Sequence, residues 1–226
     1  MLLIDKYAYT NRLRKVNPMV KFFYSIGLIL TTLIFENIYL SIFVILINSF
    51  LIVNIAKIKF KNYINILKIP MFFLILSIIS ICISITFLKS SDYIYQINVF
   101  NFYILITKES LITGINLLFK SLGSITCMFF LILTTPINDL IKVFIKLKIS
   151  ESFIELFVLI YRFIFIFLEE SNKIYNAQKL RNGYDSISNS YKSLGILISM
   201  LLIRVMKKYE EMKVALKVKG YSGKFY

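Results

Sequence analysis

Apolar and polar residues follow one another along this chain in long blocks rather than in short periods. A helix crosses a hydrocarbon layer with roughly 20 mostly apolar residues, and about 17 suffice. Four blocks meet that need, at about 19–35, 38–56, 69–88 and 111–135. Little more than Glu36 and Asn37 joins the first two, which predicts a tight hairpin. Pro70 is expected to open the third helix, where its missing N–H costs nothing. Between the third and fourth blocks, residues 99–107 partly alternate and are rich in β-formers, predicting a short strand. Lys120 interrupts the fourth block. An ionisable group at that depth is a functional candidate by default; it is equally read as a side chain that snorkels or faces the bundle interior.

After Thr135 the pattern changes. Residues 152–168 are apolar enough for a fifth crossing, which would send the Lys-rich tail outward against the charge rule. A return at 194–206 would span only about 20 Å at ~1.5 Å per residue, and it carries Arg204. The alternative keeps everything after Thr135 cytoplasmic or interfacial, with apolar faces along the membrane surface or against a partner. The charge rule favours this alternative. Thr135 and Pro136 read as N-cap and first helical residue, with Asp139 in the first turn. A short amphipathic helix then runs to about Lys148, with Leu140, Phe144 and Leu147 on one face. Ser150 can cap a long helix over 151–181. A third helix covers 192–219, and 185–190 link the two. The expected fold is all-α: a polytopic membrane protein of about four transmembrane helices, plus a cytoplasmic or interfacial module of three helices. The domains are 1–135 and 136–226.

Composition supports the membrane reading. The 226 residues are 58% hydrophobic, against roughly 45–50% in soluble domains. The net charge is +15, from 27 Lys and Arg against 12 Asp and Glu. In a soluble protein that excess would suggest nucleic acid. Here it is segregated into loops and tail, so no nucleic-acid partner is expected. Lys6, Arg12, Arg14 and Lys15 precede the first span and Lys21 stands at its start, and Lys57, Lys59, Lys61 and Lys68 separate the second from the third. Both regions, and both termini, are therefore assigned to the cytoplasm of a plasma-membrane protein. The Glu36 turn and residues 89–108 fall outside. There is no His, which removes the commonest metal ligand and general base. No phosphate-binding loop or zinc signature is present, and Cys82 and Cys127 sit in apolar runs as small hydrophobes. The chain is read as no enzyme, with no metal site and no cofactor. No small-residue cleavage site follows the basic start, so no cleavable signal is expected.

A near-repeat marks the tail: Ala177, Arg181 and Gly183 in one copy, Ala215, Lys219 and Gly220 in the other. Each alanine and basic residue are spaced i, i+4 and share a helix face. Each glycine is expected to give the chain its left-handed exit. One copy would be an ordinary helix end, stabilised by ~0.3–1 kcal/mol through the dipole. Two copies, on the two long helices of one membrane protein, point to a docking site. Arg162 is read either as a pivot that pairs across helices or as a side chain snorkelling to headgroups. Glu155 and Glu169 share its face but lie two turns away.

These residues carry a family resemblance. The chain resembles the transmembrane coupling subunit, or T component, of energy-coupling factor transporters, a branch of the ABC importers. The likeness lies in Thr134-Thr135-Pro136-Ile137-Asn138-Asp139-Leu140, in Tyr161-Arg162, in Glu169-Glu170 and in Ala177-Gln178. The N-terminal stretch from Ile4 to Asn11, with Pro18 and Lys21, looks most like the cobalt-type members. The two helix ends look like that family's paired Ala-Arg-Gly motifs, with two departures. The first reads Leu180-Arg181-Asn182, with glycine delayed to Gly183. The second has Lys219 for arginine, which keeps the charge and loses the planar fork.

The resemblance implies that Ala177, Leu180, Arg181, Gly183, Ala215, Lys219 and Gly220 dock two ABC ATPase subunits in the cytoplasm. Pro136, Asp139 and Arg162 would serve coupling and structure. The three C-terminal helices would be coupling helices, passing ATPase movement to a separate substrate-binding membrane subunit. The chain itself would bind neither ATP nor cargo. Cobalt is the cargo the N-terminal stretch implies; nickel and a vitamin stay open. The rival reading, a stand-alone secondary transporter, would use intramembrane acids, and the four spans contain no Asp or Glu.

Overall fold

The computed structural model describes residues 3–35, 37–82, 84–86, 95–99 and 102–220. The chain forms two compact units, 1–143 and 144–226. In the first, α1 (Leu3–Thr10) and a 3-10 turn (Arg12–Lys15) lead into α2 (Pro18–Ile34). Then come α3 (Ile38–Phe50), continued by a π-helical turn (Leu51–Ile55), and α4 (Phe60–Cys82). Three short strands follow, β1 (Ser84–Thr86), β2 (Tyr95–Val99) and β3 (Phe102–Ile106), antiparallel in the order β1-β3-β2. After α5 (Lys108–Thr134), α6 (Ile137–Lys146) carries the chain across the unit boundary. The second unit holds α7 (Glu151–Leu180) and α8 (Ile187–Val218).

The chain is an all-helical membrane protein apart from the small sheet. Ile38–Ile55, Phe60–Cys82 and Lys108–Thr134 are long and apolar enough to cross a bilayer; Pro18–Ile34 is apolar but only 17 residues long. α7 and α8 are not among the helices that meet this measure. The strand expected over 99–107 is β3, with Val99 in β2 and residues 100 and 101 outside the described residues. Glu36 and most of 89–108's first half also lie outside them.

Three of the expected boundaries are corrected. The third span begins at Phe60, not at 69, so Pro70 lies inside α4. Ile64, Ile66 and Leu67 extend the apolar run upstream of it, and membrane helices tolerate an internal proline where local adjustment and neighbouring groups re-satisfy the freed carbonyl. That helix ends at Cys82, and Ser84–Thr86 is already a strand. Likewise α8 begins at Ile187, not at 192. The Ser186 side chain accepts from the Asn189 backbone N–H at 3.2 Å and caps it, so the expected linker 185–190 is mostly helix.

α5 is the centre of the first unit and packs against α1, α2, α3 and α4. Small residues allow the approach. A Cβ on Gly123 would stand 3.5 Å from Thr32 and 3.6 Å from the Ser41 carbonyl oxygen, and the Ser124 and Thr32 hydroxyls meet at 3.2 Å. The tightest core lies at the C-terminal end of α5, where Phe130 and Leu133 bury against Ile52, Ala56, Ile58 and Tyr63.

Candidate functional site

α7 and α8 run antiparallel. Contacts retreat along one helix as they advance along the other: Gln178 with Ser193, Glu170 with Arg204, Phe163 with Tyr209, Arg162 with Met212. The two motif-bearing helix ends therefore lie at opposite ends of the pair. At ~1.5 Å per residue they are separated by roughly the length of α8, about 48 Å.

The first end closes as a Schellman motif, the left-handed C-terminal turn with paired 6→1 and 5→2 bonds. The Gly183 N–H donates to the Gln178 carbonyl at 2.9 Å, and the Asn182 N–H to that of Lys179 at 3.1 Å. The left-handed residue is Asn182, with φ 57°, not Gly183. This corrects the expectation that Gly183 supplies the exit. Asn tolerates that conformation better than other side chains do. Gly183 is small for another reason: a Cβ there would meet Ser193 Oγ at 2.7 Å and the Gln178 carbonyl oxygen at 3.0 Å.

Three residues that sequence reasoning gave no site role lock this turn. Gln178 donates from Nε2 to the Ser193 carbonyl at 2.9 Å and accepts the Tyr184 hydroxyl at 2.8 Å. Ser193 Oγ donates to the Gly183 carbonyl at 2.7 Å. The turn is thus rigid, and Leu180, 86% exposed, and Arg181 stand out from it into the surroundings.

The second end follows the expectation. Gly220 takes φ 66° just after the cap Lys219, and open space surrounds it. Val218 is 82% exposed, and Lys219 is exposed beside it. Ala177 and Ala215 are exposed as well. Each end so presents an aliphatic side chain next to a cation, on a face opened by a small residue.

Between these ends the pair is held by one charged cluster. Glu170 accepts from Arg204 at 3.2 Å and from Lys173 at 3.1 Å, and Lys173 also meets Glu169 at 2.7 Å. The Lys173 ammonium, more than Arg204, holds the Glu170 carboxyl below its ordinary range, although burial opposes this. Arg204, which the sequence reading counted against a crossing, has its partner here. Arg162 is exposed and reaches across to Met212 Sδ at 3.7 Å. Apolar grooves flank the pair, one lined by Ile160, Phe163, Ile164, Phe167, Leu168 and Val205.

At the start of α6, Asp139 stands in the first turn, with Lys142 at 2.7 Å. The cap differs from expectation. Thr135 Oγ1 is buried without a hydrogen-bond partner among the described residues, and the Pro136 carbonyl accepts the first N–H groups, those of Asp139 and Leu140. Ser150 likewise precedes α7 without a side-chain cap bond. Along α6, Ile141 and Val143 are the buried residues, and Leu147, expected on the apolar face, is 37% exposed beyond the helix end. Lys120 lines a cavity with Phe35, Asn37, Ser41, Thr113 and Asn116, at the turn between α2 and α3.

Comparison with known proteins gives a consistent picture. The family model described as CbiQ, cobalt transport protein, matches residues 10–226. An uncharacterized protein of Methanocaldococcus jannaschii is 33% identical over 98% of this chain and 81% of its own length. Cobalt transport protein CbiQ of Salmonella typhimurium is 28% identical over 99% of this chain and 98% of its own. A putative fused cobalt transport protein CbiMQ of Methanocorpusculum labreanum is 32% identical over 98% of this chain, which spans 37% of that protein.

Proposed function

Since the chain belongs to the CbiQ family of cobalt transport proteins, we propose that it is the membrane coupling component of an energy-coupling factor importer for cobalt. In this reading two ABC ATPase subunits dock from the cytoplasm on the two helix ends. A separate membrane subunit holds the cargo. The observation that carries the reading is the pairing of Leu180 with Arg181 and of Val218 with Lys219. Both pairs are exposed, and they cap opposite ends of one antiparallel helix pair. The helix dipole accounts for the cations but not for the exposed Leu180 and Val218 beside them, whereas two docked subunits could each seat one such pair.

The mechanism follows from rigidity. Nucleotide-driven closure brings two docked ATPases together. Because Gln178, Tyr184, Ser193 and Gly183 fix the first turn, Arg181 cannot move without α7 and α8 moving. The exposed apolar grooves along the pair then shift beneath whatever membrane subunit covers them. The fused relative from Methanocorpusculum labreanum suits a chain that works beside a second component.

The test is reconstitution in liposomes of the chain alone, with ATPases, and with ATPases plus the substrate-binding subunit. ATP-dependent cobalt uptake is expected only from the complete set. Uptake by the purified chain alone would replace this reading with a stand-alone transporter.

A further inference from the structure

We propose that Lys21 is a positioning residue for coupling: it latches the base of α2 to the C-terminal end of α5, where the chain turns into α6. By charge counting Lys21 is one of several flanking cations. The structure places it elsewhere. It is 2% exposed, and its Nζ donates to the Thr134 carbonyl at 2.8 Å, a bond across 113 residues of chain. The carbonyls at a helix C-terminus lack intrahelical donors and carry the negative end of the helix dipole, so a buried ammonium is stabilised there.

Asn11 completes the latch. Its Nδ2 donates to the Leu133 carbonyl at 3.1 Å while holding the Ala8 carbonyl at 2.7 Å. Two consecutive carbonyls of α5 are thereby taken by side chains from the N-terminal segment. The next residues are Thr135, 2% exposed, and Pro136, which has no N–H to continue the helix. Asp139, in the first turn of α6, is the acidic group whose field reaches Lys21. The bend between α5 and α6 is thus gripped from one side by α2 and α1.

This inference rests on the coupling reading above. Movement that enters through α6 must cross the Thr134–Pro136 bend to reach α5. With the latch, α5 and α2 move as one piece. Without it, the bend absorbs the motion, and ATP is hydrolysed without transport. A lysine buried only for stability would not separate those two readouts.

The experiment uses the complete reconstituted transporter. Lys21→Met, which keeps an unbranched stem and removes the donors, is expected to retain ATPase recovery and ATP turnover while cobalt uptake per ATP falls roughly tenfold, the scale of one charged hydrogen bond acting on one of two states. Lys21→Gln, which keeps an N–H for Thr134, should regain most of the lost ratio. An unchanged ratio in Lys21→Met overturns the proposal. If Lys21→Met does not accumulate, Asn11→Leu, which removes the donor to the Leu133 carbonyl, decides: reduced uptake per ATP at retained turnover supports the latch, and either a parental ratio or failure to accumulate overturns it. A parental chain that recovers no ATPase is a different result, and it overturns the coupling reading itself.

Discussion

Glu170 on α7 and Arg204 on α8 form an ion pair, with Oε2 and Nη1 3.2 Å apart, near the Ile174, Leu197 and Leu201 cluster. The carboxylate is buried and the guanidinium is partly in solvent. Such a pair fixes the register of two helices that otherwise slide easily on aliphatic contacts. A double-mutant cycle of Glu170→Gln and Arg204→Leu should return a coupling of about 1 kcal/mol, the upper part of the range for pairs with one partner in water. Thermal unfolding in detergent is the measurement. Additive losses would remove the pair from the account.

The same pair sets an acid limit. Lys173 first, and then Arg204, hold the Glu170 carboxyl below its ordinary value of 4.5. A carboxyl depressed by folding contributes its stability above the unfolded value and loses it as pH falls through the folded value. The wild-type chain should therefore lose more melting temperature than Glu170→Gln as pH drops below about 4.5, and the two should run parallel above pH 6. Parallel curves throughout would show that this carboxylate does not carry the effect.

Gly183 and Gly220 are both motif glycines, yet they do different things. At Gly183 a methyl would press on Ser193 and on the Gln178 backbone. Gly183→Ala should cost about 1–3 kcal/mol through overpacking of the locked turn. At Gly220 the space is open and the penalty is conformational, about 1–2 kcal/mol for φ 66°, confined to a terminal turn that can fray. Melting temperature should thus fall more for Gly183→Ala than for Gly220→Ala, and the reverse order would refute this division of roles.

The long blocks were legible because a bilayer demands length and apolarity, which composition shows directly. Helix ends were legible where one residue decides them, as at Gly220. They were misread where distant partners decide. Gly183 looked like the left-handed residue because glycine usually is; Asn182 takes that role, since Ser193 on the next helix needs the space at 183. Pro70 looked like a helix start because propensity says so, but the apolar run upstream extends α4. Lys21 reads from sequence as a flanking cation and as part of the family likeness, because nothing local reveals that Thr134 receives it.

The distribution of Lys and Arg along the sequence predicts a cytoplasmic α7–α8 turn. Ser188 is exposed in the first turn of α8. A single cysteine there, in a background lacking Cys82 and Cys127, should resist an impermeant thiol reagent in intact cells and react after permeabilisation. Labelling from outside would place the α7–α8 turn on the far side and defeat docking by cytoplasmic ATPases.

Arg181 and Lys219 occupy matching positions, but under the proposed docking they would be unequal anchors. Arg181 offers a planar fork to a carboxylate and stands on a turn fixed by Gln178 and Ser193. Lys219 offers a point charge next to an open, unbraced glycine. Arg181→Glu should accordingly reduce ATPase copurification more than Lys219→Glu, and both variants should keep the chain in the membrane. The double reversal removes both cations and adds repulsion at both ends, so it should abolish recovery. Leu180→Ala and Val218→Ala, which leave the charges in place, should each weaken recovery more mildly, because the exposed aliphatic neighbour supplies apolar area and not direction. Equal recovery of ATPases by the doubly reversed chain and its parent would move the docking surface away from the helix ends.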